Sequence, residues 1–129
     1  MPSMLRIFKP LMDPVVTLIL WTYYILGYII FFSPFYLAAY FFSGNRELAF
    51  QKMNHIFYRS FFTLLKTISP GLDMKIDERI RSIKSSVVIC NHLSYLDPIL
   101  MISLFERQKT VVRSDFFSYP VFGWLLKTS

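Results

Sequence analysis

The chain has 129 residues, room for about one domain, and 54% of them are apolar, 19% aromatic and only 17% charged. An ordinary soluble domain cannot cover that much apolar surface, so the composition asks for a lipid or protein partner. The net charge of +6 suits a nucleic acid or an anionic membrane alike, and apolarity decides against nucleic acid; the single cysteine, Cys90, excludes an internal disulfide.

From Pro14 to Asn45 there is no charged residue, and Val15 to Phe42 is almost wholly apolar or aromatic. About 20 such residues span a bilayer, so a membrane anchor over residues 1–45 is expected. The apolar region is too long for a signal peptide, and no small-residue cleavage pattern follows it. Pro34 should kink or break a helix, and Gly27 should weaken its first half. Two arrangements stay open: one tilted, kinked span, or two shorter helices hinged near Pro34 that enter and leave the same leaflet. Arg6 and Lys9 lie before the run and Arg46, Lys52 and Arg59 after it, so flanking charge gives only a weak bias.

Over residues 46–68, Phe50, Met53, Phe57, Phe61, Leu64, Leu65 and Ile68 recur at helical spacing. Lys52, Arg59 and Lys66, seven apart, stack along another face. This pattern predicts a basic amphipathic helix, lying in the headgroup region, packing on a domain core, or doing both. Nothing in the neighbouring sequence positions His55, which reads as a surface residue.

Ser69-Pro70-Gly71 is a break, and residues 69–129 read as the first part of an α/β sheet. Leu72 to Ile76 alternates like a half-buried strand, Asp77 to Ser85 suits a short helix or turn, and Ser86 to Cys90 suits a strand buried on both faces. Pro98 to Phe105 reads as a buried helix with Asp97 at its N-cap and Pro98 at its first position. Lys109 to Arg113 is a third short strand, and Pro120 to Leu126 begins another helix. Ligands of such sheets bind beyond the carboxyl ends of the strands, where His92 would lie.

His92 and Asp97 are separated by four residues. On a regular helix they would face well apart, so cooperation requires the residues between them to curl as a loop. A His–Asp pair offers general-base catalysis: the imidazole takes a proton from an attacking hydroxyl and the carboxylate holds the other ring nitrogen. A helix cap accounts for Asp97-Pro98 equally well, and a lone histidine at a strand end needs no catalytic role. Two histidines and one cysteine supply too few ligands for zinc, and Cys90, ending an apolar strand, reads as a buried, inert thiol.

Asn91-His92-Leu93-Ser94-Tyr95-Leu96-Asp97 matches Asn-His-x-Ser-x-x-Asp and resembles the first signature block of the glycerolipid (1-acylglycerol-3-phosphate) acyltransferase family. Val111-Val112-Arg113 and Tyr119-Pro120-Val121-Phe122-Gly123-Trp124 resemble its next segment, a strand ending in a basic residue and then Pro-x-x-Gly, although lysine is more usual where Arg113 stands. The resemblance implies that His92 activates a lysolipid hydroxyl, such as that of lysophosphatidic acid, for attack on an acyl thioester, with Asp97 orienting it. Asn91, Ser94 and Arg113 would support the motif or the substrate. The thioester would be acyl-CoA or an acyl carrier protein, with no metal and no other cofactor, and a bacterial cytoplasmic membrane is implied by analogy. The family's later blocks, which hold the acceptor's phosphate, are not found before Ser129, and three short strands make a small sheet with open edges. The expectation is therefore a truncated acyltransferase, or a non-catalytic membrane-anchored remnant that binds lipid or a partner.

Overall fold

The computed structural model describes residues 2–69, 71–91 and 93–128. Helical backbone runs unbroken from Pro2 to Phe42, as α1 (Pro2–Thr22), a π-helical stretch (Tyr23–Phe32) and α2 (Ser33–Phe42). Pro34 has no N–H to donate, and its ring crowds the carbonyl one turn back. The backbone widens before it: the Ser33 N–H bonds to the Tyr28 carbonyl, five residues away, and the helix continues. A hinge into two separate helices is not formed. Within this run, the 31 residues Met12–Phe42 are long and apolar enough to cross a membrane.

Ser43-Gly44-Asn45 reverses the chain into α3 (Arg46–Ile68). Asn45 caps it, its side-chain oxygen accepting the Leu48 N–H at 3.1 Å, with Glu47 in the first turn and Lys66 in the last, as the helix dipole favours. The two helical elements then pack antiparallel along an aromatic seam. Phe57, buried, sits among Tyr23, Tyr24, Tyr28 and Phe32, with ring centroids 5.4, 5.7, 5.9 and 4.8 Å away. Toward the turn, Tyr36 meets Phe50 edge-on at 5.0 Å, and its hydroxyl donates to the Asn54 side chain. Deeper along the hairpin, the Tyr23 hydroxyl donates to the Phe57 carbonyl at 3.2 Å. The core-packing expectation for residues 46–68 is met by a helix whose aromatic face is packed and whose Lys52, Arg59 and Lys66 are exposed.

The rest of the chain hangs on α3. Two short helices, α4 (Leu96–Leu104) and α5 (Pro120–Thr128), both contact it, joined by extended segments and two 3₁₀ turns at Glu78–Ser82 and Ser114–Ser118. Here the α/β expectation is corrected: among the described residues there is no strand and no sheet. Ser86–Cys90 has no regular structure and no strand partner; Val87 and Ile89 are each 91% exposed, and Val111 in the third expected strand is 99% exposed. A parallel strand gains its stability from neighbours on both edges and helices on both faces. The short segments here do not assemble that set, so β-branched composition alone leaves them extended in solvent. For the same reason α4 is only half-covered, with Ser103 its one fully buried residue, and the Cys90 thiol is exposed, not buried. The expected turn between 77 and 85 and the helix from Pro120 are both present.

Phe57→Ala should cost about 3–5 kcal/mol, since the aromatic ring is the piece shared by four partners across the seam. Urea unfolding in mild detergent checks this, and a loss below about 1 kcal/mol would place the stabilising contacts elsewhere.

Candidate active site

The motif loop is built backward from α4. That helix begins at Leu96, so Asp97 and Pro98 occupy its second and third positions, two residues further in than the cap and first position expected from sequence. Proline is tolerated there because first-turn N–H groups have no intrahelical partner. Asp97 folds back over the helix start: its Oδ2 accepts the Leu93 N–H at 2.6 Å and the Ser94 N–H at 2.7 Å, while its own N–H donates to the Ser94 carbonyl at 3.1 Å. Ser94 closes the turn, its Oγ accepting the Leu96 N–H at 3.1 Å. Two side chains therefore hold the loop in a tight curl.

Ser94 and Asp97 are thus brought together. Asn91 is exposed on the extended segment before them. His92 lies outside the described residues. Arg113 is exposed, and its guanidinium donates to the Asp115 carboxylate at 2.5 Å, a local pair of little energetic weight. Among the described residues no group of three His, Cys, Asp or Glu side chains gathers as a metal site.

Two further features set the position of α4 and α5. His55 is not a bystander on the surface: half-buried, its Nδ1 is hydrogen-bonded to the Ile102 carbonyl at 3.0 Å. Ile102 lies in the last turn of α4, where carbonyls lack helical partners, so α3 satisfies the end of the very helix whose start carries Asp97. No local signal in the sequence around His55 announces this, because its partner is a backbone group 47 residues away. Glycine at 123 has a steric cause. Gly123 is buried where α5 meets the 3₁₀ turn at Ser114–Ser118, and a Cβ there would lie 2.3 Å from the Phe117 carbonyl oxygen. Next to it, Trp124 reaches across to Tyr40 and Phe50, at 5.4 and 5.6 Å, and ties α5 to the hairpin. An exposed Lys109–Glu47 ion pair at 2.9 Å joins the segment between α4 and α5 to the first turn of α3.

Residues 71–129, which contain the motif loop, α4, the Arg113 segment and the Pro-x-x-Gly stretch, match the Acyltransferase family model. Over this part the chain is similar to the acyltransferase family. No curated protein and no solved structure matches the chain. Within the acyltransferase segment, the steric demand at Gly123 and the backward cap at Asp97 supply physical reasons for two of its motif positions.

Gly123→Ala should displace the Ser114–Ser118 turn, with an overpacking cost of about 1–3 kcal/mol. Quenching of Trp124 fluorescence by acrylamide reads the movement, and an unchanged Trp124 signal would show that the turn tolerates the methyl group. Asp97→Ala should release the 93–95 loop, while Asp97→Asn, keeping one acceptor oxygen, should retain most of it. Hydrogen exchange of the Leu93 and Ser94 amides should rise by about tenfold in the alanine variant alone, since each bond to a carboxylate is worth about 1.5 kcal/mol or more.

Proposed function

We propose that this chain transfers an acyl group from an acyl thioester, acyl-CoA or an acyl carrier protein, to the free hydroxyl of a lysophospholipid such as 1-acylglycerol-3-phosphate. The observation carrying this reading is the family match over residues 71–129 together with the loop that Asp97 curls at the start of α4. His92 acts as the base. It takes the hydroxyl proton as that oxygen attacks the thioester carbonyl, and returns a proton to the departing thiolate as the carbon–sulfur bond breaks. Asp97 orients the imidazole and offsets its positive charge, so no protein nucleophile is needed. Asn91, Ser94 and Arg113 support the loop and the acceptor.

The reaction is placed at a membrane surface, and the hairpin suggests how. Upright, the 31-residue run would carry α3 through the bilayer beside it, because the seam joins the two along most of their length. The midpoint of α3 is Phe57, so Arg59 would sit near the bilayer centre and Lys52 a turn and a half away. Each such cation costs about 2.5–3.5 kcal/mol at mid-membrane. Lying flat removes that cost: the apolar run, with Leu18, Trp21, Ile30, Phe35 and Phe42 exposed, faces the acyl chains, and α3 presents its basic row to the headgroups. The acyltransferase segment then rides on α3, on the aqueous side. By family analogy the membrane is the bacterial cytoplasmic one.

The second reading, a non-catalytic membrane-anchored protein that binds lipid or a partner, draws on the extended segment before the motif, where Val87, Ile89 and Leu93 are each more than 90% exposed. Acyl transfer from a thioester, followed as free thiol released in membranes carrying the chain, separates the two. His92→Ala should abolish release by about a hundredfold or more, the usual worth of a positioned base. Equal release by wild type and variant would remove His92 from the chemistry and favour the second reading.

A further inference from the structure

A crevice follows one side of the seam between the apolar run and α3. Tyr23, Leu26 and Phe31 line its apolar part, which encloses about 510 Å³ and meets α3 at Ser60. From that same serine a groove of about 490 Å³ continues along α3 past Arg59, Thr63 and Thr67. The two parts differ in chemistry. The first is almost wholly apolar and has Gly27 in its wall; the second is also mainly apolar, with Ile56 and Leu64 in its wall, but it is edged by Arg59, the half-buried His55 and three hydroxyls.

Arg59 is the group in this groove able to hold an anion. It is exposed, and the ion pairs among the described residues involve other cations: Lys75, Arg79, Lys109 and Arg113. The Thr63 and Thr67 hydroxyls donate to the carbonyls of Arg59 and Thr63, at 2.9 and 2.8 Å, so they offer only lone pairs to a ligand. Lys52 and Lys66 stand one heptad to either side of Arg59 and raise the local positive potential, while the one acidic residue of α3, Glu47, is engaged by Lys109.

We propose that the crevice holds one anionic glycerophospholipid of the surrounding leaflet, its phosphate on Arg59 and an acyl chain along Tyr23, Leu26 and Phe31. The ligand must be amphiphilic because a fixed cation and an apolar slot join at Ser60. A soluble phosphate ester fills only the polar part, and a zwitterionic lipid brings a second cation toward Arg59. This inference rests on the flat membrane placement above, which sets the crevice at the boundary of headgroups and acyl chains, and not on acyl transfer.

The full chain, reconstituted in bilayers of equal parts phosphatidylglycerol and phosphatidylcholine and released into mild detergent, should retain phosphatidylglycerol in preference, as counted by native mass spectrometry. Arg59→Gln should lower the retained phosphatidylglycerol about tenfold, the worth of one charge-assisted hydrogen bond, and Arg59→Lys should keep most of it. Leu26→Trp, which fills the slot, should lower retention of either lipid. Arg81→Gln, on an exposed turn outside the crevice, should change nothing. Equal retention by wild type and Arg59→Gln, or displacement of the lipid by inorganic phosphate alone, would overturn the site. Retention of neither lipid by the wild type would overturn the membrane placement with it. Acyl transfer is not read in this experiment, so loss of the acyltransferase reading would leave its result unchanged.

Discussion

Phe57 is the contact on which the structure depends. Four aromatic side chains of the apolar run close around it, and this joins that run to the basic helix α3. Aromatic rings suit the task, because each buries a large area and adds edge-to-face attraction at little cost in side-chain entropy. The seam carries few polar bonds, chiefly the Tyr36–Asn54 and Tyr23–Phe57 pairs, so apolar packing dominates it. Once the two helices are clamped, the orientation of one dictates that of the other.

The same helix organises the segment that matches the Acyltransferase family model. Its His55 meets the end of α4, and its Phe50 meets Trp124 of α5. Because α4 is short, the carbonyl held by His55 lies only five positions along the helix from Asp97, a rise of about 8 Å. The loop that carries the motif is therefore fixed at one end by Asp97 and, through α4, by the helical hairpin. A displacement of α3 would be transmitted to the loop through a single helix of nine residues.

Much of this was legible in the sequence. Heptad spacing of Lys52, Arg59 and Lys66 against the aromatic face of α3 placed both of its sides, and Asp97-Pro98 announced a helix start within two residues. What misled was composition without context. Ser-Val-Val-Ile-Cys has the β-branched character of a buried strand, but strand formation is a property of pairs, and no partner strand forms among the described residues. Pro34 left a kinked span and a hinge both open, and a widened turn that absorbs its missing donor keeps the helix continuous. His55 was misjudged because long-range hydrogen bonds to backbone carbonyls leave no local pattern. Gly123, by contrast, was visible as part of Pro-x-x-Gly, while its reason, the nearby Phe117 carbonyl, belongs to tertiary structure.

The measurement that tests this account most directly is side-specific labelling of single cysteines at the two ends of the apolar run. With Cys90 replaced by serine, one cysteine is placed at Asp13 and, separately, one at Gly44, and sealed membrane vesicles of one orientation are treated with a membrane-impermeant maleimide. A hairpin lying flat in one leaflet predicts that both positions label from the same side, and that opening the vesicles adds nothing. Labelling of one position only after the vesicles are opened would show that the run crosses the bilayer, and would contradict the seam's control of how the chain meets the membrane.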